Sequence, residues 1–145
     1  LHSPYTLSLH DALPIYIVIT VGGGGIPVID KGNGDLEGVP AVIDKDFASC
    51  KIAELINADL LVVLTAVEQV AINFGKPNQK NLSSMTIEEA KTYITEGQFA
   101  PGSMLPKIKA ALIFVEAKKG RKAIITSLEK AKDAISGAAG TVIIN

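Results

Sequence analysis

Three stretches of the chain are unbroken runs of mostly branched apolar residues: Tyr16-Ile17-Val18-Ile19-Thr20, Leu60-Leu61-Val62-Val63-Leu64-Thr65 and Ala123-Ile124-Ile125-Thr126. A strand buried on both faces reads this way, with no polar alternation, so each run predicts an interior strand. Gly140 to Ile144 predicts a fourth. Between the runs the period changes. From Asp46 to Asn57, Phe47, Cys50, Ala53 and Ile56 recur at helical spacing, as do Ile52 and Leu55. Thr86-Ile87-Glu88-Glu89 fits a capping box, which predicts a helix ending near Gly97. A further helix is predicted from about Ser103–Pro106 to Gly120, and another from Ser127 to Ser136. Ile26 to Gly38 reads as a hairpin with Gly32-Asn33-Gly34-Asp35 near its tip, and Ala66 to Leu82 as a polar, irregular connection. Apolar strands alternating with helices predict an α/β fold, a three-layer α/β/α sandwich with a mainly parallel sheet.

The first fifteen residues have neither period. The run Tyr5 to Ile15 resembles the translation of a sequencing-library adapter joined to a reading frame, so residues 1–15 are expected to be a non-native extension and residues 16–145 the domain. Both histidines, His2 and His10, fall in that stretch and are set aside as catalytic or metal-binding candidates. No protein metal ligand is assigned.

Composition narrows the function. With 145 residues there is room for one real core. A net charge of −1 gives no electrostatic case for nucleic acid or an anionic membrane. No apolar run approaches the roughly 18 residues of a membrane span. Cys50 is the single cysteine, which excludes an internal disulfide and fits a reducing compartment, the cytoplasm.

Three places could carry chemistry. Gly22-Gly23-Gly24-Gly25 follows the first predicted strand, where bare backbone lets amides approach an anion; alone, the run reads equally as a turn. It matches neither the Walker pattern nor the dinucleotide fingerprint. Asp44-Lys45-Asp46 opens a helix. Either aspartate can cap it, but a lysine adds to the positive end of the helix dipole and is unfavourable there unless an anion sits close by. On those grounds alone a solvated charge is the simpler reading. Pro101-Gly102-Ser103-Met104-Leu105-Pro106-Lys107 repeats the scheme of glycine turn, helix start and lysine in the first turn. Two such lysines in a histidine-free core favour anion chemistry over general-base chemistry.

In order and spacing, several runs resemble carbamate kinases of the amino acid kinase superfamily: Gly22 to Val28, Gly38 to Asp46, Leu64 to Val70, Asn73 to Gln79 and Phe99 to Lys107. The resemblance extends from about Tyr16 to Asn145. It implies an amino-acid-kinase fold and reversible phosphoryl transfer between ATP and carbamate, giving ADP and carbamoyl phosphate with Mg2+, in arginine metabolism. By the same resemblance Lys45 and Lys107 are the lysines that stabilise the transferring phosphoryl group, and Asp44 the carboxylate that organises them. Gly22, Gly23, Gly24 and Gly25 would lie by carbamate and the γ-phosphate, and Thr65, Ala66, Val67, Val70, Phe74, Gly102 and Met104 around the nucleotide. Phe74 stands where a tyrosine is equally expected, so no phenolic hydrogen bond is carried over. Carbamate kinases also have an amino-terminal half with a first phosphate loop, a protruding subdomain with another lysine, and much of a homodimer contact. That half is not in these residues, so the resemblance implies an active parent enzyme and an incomplete site here. The alternatives are an acetylglutamate or aspartate kinase of the same fold, against which the Asp-Lys-Asp and Gly-Ser-Met-Leu-Pro-Lys runs argue, and a non-catalytic nucleotide-binding module.

Overall fold

The computed structural model describes residues 17–145, so the expectation for residues 1–15 lies outside the described residues. Strands β1 (Val28–Asp30) and β2 (Leu36–Gly38) form the expected antiparallel hairpin. Its tip is shaped by Asp30, whose Oδ1 accepts the Gly32 N–H at 2.8 Å, and by Asn33, whose Oδ1 accepts the Asp35 N–H at 3.0 Å. Helix α1 (Lys45–Leu55) leads to strand β3 (Leu60–Thr65). Strands β4 (Val70–Ile72) and β5 (Lys80–Leu82) pair antiparallel, and β6 (Ser84–Thr86) runs into helix α2 (Ile87–Thr95). Helix α3 (Met104–Glu116), strand β7 (Lys122–Ser127), helix α4 (Ala131–Ile135) and strand β8 (Thr141–Ile144) complete the chain.

The main sheet has the order β3-β7-β8-β6. Its β3–β7 and β6–β8 pairings are parallel and β7–β8 is antiparallel, which bears out a mainly parallel α/β sheet. The strands alternate their side chains between two unequal layers. Leu61, Val63, Ala123, Ile125 and Ile143 join the core with α1, α2 and α3, whose Cys50, Ala90, Ile108 and Phe114 are buried. On the opposite face Ile124 and Val142 meet the short α4 through Ala134, with Leu60 left partly uncovered. The capping box at α2 forms as expected: the Glu89 N–H donates to Thr86 Oγ1 and the Thr86 N–H to Glu89 Oε2.

Three expectations are corrected. Residues 17–20 are not a strand, and Ile17 and Ile19 are each 98% exposed. An apolar run becomes a strand only where a neighbour completes its ladder, and among the described residues β3 closes that edge of the sheet with β7 as its only partner. The connection 66–82 is not irregular, since it holds β4 and β5. These strands are three residues each and owe their pairing to a buried bond outside the hairpin, so no local period announces them. Helix α4 is shorter than the Ser127–Ser136 span because Ser127 extends β7 and a turn precedes Ala131.

Candidate nucleotide and phosphate site

The site lies at the carboxyl end of β3, which pairs parallel with β7, on the edge where open α/β sheets generally take ligands. As β3 ends, Thr65, Ala66 and Val67 form one wall of a cleft of about 200 Å³. Phe74, from the turn between β4 and β5, lines it, as do Phe99 and Met104 at the entrance to α3. Phe99 is 4% exposed and is fixed by an edge-on contact with Tyr93 of α2, with ring centroids 6.4 Å apart. Phe74 is 67% exposed, leaving its ring free on the cleft wall. The lining is largely apolar with a few polar atoms at the rim, which suits a flat, partly apolar ligand.

The structure brings Thr65, Ala66, Val67, Phe74 and Met104 together around this cleft. Gly102 sits in the turn beside the lining residue Ser103. Val70 does not face the cleft. It is fully buried, and its N–H donates to Thr141 Oγ1 at 2.8 Å. The Thr141 hydroxyl in turn donates to the Leu82 carbonyl, so one side chain fastens both strands of the β4–β5 hairpin to the sheet.

The α3 entrance joins this cleft to a charged corner. Ser103 caps α3 without a side-chain hydrogen bond. The Leu105 N–H donates to the Ala100 carbonyl at 3.0 Å and Pro106 has no N–H, so the Met104 N–H is what the first turn offers an anion at the positive end of the helix. Within the first turn, Lys107 Nζ donates to Asp46 Oδ2 at 2.8 Å, with side-chain exposures of 15% and 13%. The pair ties the starts of α1 and α3 together. Asp44, by contrast, caps α1: its Oδ1 accepts the Asp46 N–H at 2.8 Å and the Phe47 N–H at 3.2 Å. The carboxylate that holds Lys107 is therefore Asp46, and Asp44 has the helix-capping role that its position also allowed. Lys45, the first residue of α1, is exposed and makes no ion pair among the described residues. Which of two aspartates two positions apart caps the helix and which meets Lys107 depends on where α3 packs, and sequence does not record that.

The glycine run reaches the same corner. Gly22 and Gly23 are exposed in a turn closed by the Gly24 N–H donating to the Val21 carbonyl at 2.9 Å. Gly24 is buried with φ +86°, and a Cβ there would lie 1.9 Å from the Ile43 carbonyl oxygen. Only glycine allows that approach. It sets the turn against Ile43, one residue before the Asp44-Lys45-Asp46 cap. Gly25 continues beside the Ile43 side chain. Cys50 lies apart from this chemistry, 2% exposed in the core, where burial first and Glu54 second push its thiol above the usual range and keep it protonated.

Fold and site together define an α/β protein with a base-sized apolar cleft and a lysine-bearing helix start at the carboxyl edge of its sheet. Residues 9–127 match the profile of the amino acid kinase family. The chain belongs to that family. It is 58% identical over 127 residues to a carbamate kinase-like protein, YqeA, of Escherichia coli, covering 88% of this chain and 41% of that one. It is 57% identical over 129 residues to a carbamate kinase of Clostridium perfringens, covering 89% and 41%. A solved carbamate kinase from Giardia lamblia bound to AMP-PNP superposes with a TM-score of 0.79 at 44% identity, covering 84% of this chain and 38% of that one. The chain thus spans about two fifths of the length of the curated relatives it matches.

Proposed function

We propose that this chain is the nucleotide-binding portion of a carbamate kinase, which transfers a phosphoryl group reversibly between ATP and carbamate to give ADP and carbamoyl phosphate. Residues 16–145 carry that role. The base lies in the cleft against Phe74, Phe99 and Met104, and the phosphates extend to the start of α3, where the Met104 N–H and the helix dipole meet them. Lys107, held by Asp46, and Lys45 supply positive charge to the transferring group, where fixed cations lower the barrier by stabilising charge spread over its oxygens. The glycine turn at Gly22–Gly25 borders the carbamate. Similarity to the carbamate kinases of C. perfringens and G. lamblia supports the choice of substrate.

The observation that carries the reading is the largely buried Lys107–Asp46 pair, one helical turn from a cleft lined by Met104 and two phenylalanines. Asp46 offsets the cost of a lysine at a helix start and fixes its ammonium there, where the helix dipole also favours a phosphate. Mg2+ belongs to the same proposal. Among the described residues no group of three or more His, Cys, Asp or Glu gathers, so the donors present suit an ion held chiefly by nucleotide phosphates and water, as Mg2+ commonly is. Action in the cytoplasm, a part in arginine metabolism and a homodimeric parent complete the proposal. Among the described residues no helix is long and apolar enough to cross a membrane.

Thermal unfolding with added ADP tests it. A bound nucleotide raises the stability of the chain by about 2.7 kcal/mol at a hundredfold excess over Kd. Lys107→Met should reduce that gain while leaving the effect of adenosine unchanged. No shift with ADP or ATP at any concentration would refute the reading. Phosphorylation of acetylglutamate or aspartate in preference to carbamate by the full-length protein would redirect it to a different kinase of the family.

A further inference from the structure

The turn that carries Phe74 is held at its tip by local bonds: the Lys76 N–H donates to the Asn73 carbonyl at 3.0 Å, and the Gly75 N–H to Gln79 Oε1 at 2.8 Å. Neither sets its distance from the opposite wall. Gln98 does. It sits in the loop between α2 and α3, lines the cleft, and its Oε1 accepts the Asn73 N–H at 2.9 Å. Asn73 immediately precedes Phe74 and has φ +52°, a conformation that side-chain-bearing residues adopt at a cost. Among the described residues this is the hydrogen bond that joins the tip of the β4–β5 turn to the far wall. Gln98 is itself anchored, its N–H donating to the Tyr93 carbonyl at 2.9 Å. Tyr93 also braces Phe99 on the same wall.

We infer that Gln98 is a positioning residue for the nucleotide base, a role that rests on the nucleotide-site reading above. By holding the Asn73 N–H, it fixes the turn that carries Phe74 against the loop that carries Phe99, so that the exposed Phe74 ring stays on the cleft, where a planar base can stack on it. Lys107 lies on the other side of the α3 entrance and has no bond to Gln98, so the phosphate end is independent of this device. Loss of Gln98 therefore removes affinity that depends on the base and leaves affinity that depends on phosphate.

Calorimetric titration of the chain with ADP and with pyrophosphate separates the two. The wild type binds ADP more tightly than pyrophosphate. Gln98→Met, equal in length but without the acceptor, weakens ADP about fivefold, the value of one hydrogen bond, and leaves pyrophosphate unchanged. Because Gln98 Nε2 donates to Glu96 Oε2 at 3.3 Å, the acceptor is kept without facing two carboxylates in the double variant Gln98→Glu/Glu96→Gln, which returns ADP affinity to within about twofold of wild type. Gln98→Asn, one methylene shorter, reproduces the loss and serves if the methionine variant folds poorly. Unchanged ADP affinity in both the Met and Asn variants overturns the inference, as does an equal fall for ADP and pyrophosphate. A wild-type chain that shows no preference for ADP overturns the nucleotide-site reading itself, and the inference with it.

Discussion

Ile19 and Ile125 stand in the same kind of apolar run, yet Ile19 is 98% exposed and Ile125 is fully buried. The difference lies in their neighbours. Ile125 is paired on one side with Val63 of β3 and on the other with Thr141 of β8, with α3 packed beneath. Ile19 has no described strand beside it. Residues 17–43 therefore contribute little to the core, although the run 17–20 is no less apolar than β7. Residues 58–145 supply almost all of it. The site straddles this division: the nucleotide cleft belongs to the well-packed region, and the glycine turn rests on the sparse one through a single close approach to Ile43.

The comparison can be broken first at Phe114, which is fully buried in α3 with the Arg121 guanidinium carbon 4.6 Å from its ring centroid. Phe114→Ala should cost about 4 kcal/mol in urea unfolding, since it opens a cavity and removes a cation–π contact. A loss below about 1 kcal/mol would mean that the core is not where the burial pattern puts it. Thr141→Val comes next. It keeps the shape but strands the Val70 N–H and the Leu82 carbonyl away from water, at a cost of about 2–3 kcal/mol. Hydrogen exchange should show β4 and β5 losing protection before β7 does. The smallest effect sharpens the contrast most directly. Ile125→Val should cost about 1 kcal/mol by removing one buried methylene, whereas Ile19→Val should change stability by less than about 0.5 kcal/mol. Equal costs would show that residues 17–20 are packed against something in solution.

Much of the fold was legible because its signals are local. The β3 and β7 runs, the Thr86–Glu89 capping box and the helical spacing in α1 each lie within a dozen residues, and all formed as expected. The cleft was legible through resemblance: Thr65, Ala66, Val67, Phe74 and Met104 lie together although they are up to 39 positions apart, since 104 − 65 = 39. Less visible were the partners that tertiary packing chose. Gln98 holding Asn73 spans 25 positions, and Lys107 holding Asp46 spans 61. No period or motif links such pairs. Val70, expected beside the base, was drawn into the core because Thr141 offered its amide a buried acceptor.

By itself the sequence determined which segments are strands or helices wherever the chain also provides a neighbour, and which residue types could meet a phosphate. It supplied a glycine run and two aspartates able to cap α1, while the need for glycine at position 24 comes from the close approach to Ile43. Tertiary structure alone decided that Asp46 rather than Asp44 reaches Lys107, that Phe74 is held open over the cleft, and that one apolar run is core while its counterpart faces water. The physical reason is the same in each case. A side chain's chemistry is carried along the chain, but burial, pairing and charge compensation depend on what stands opposite, and that is settled only when distant elements meet.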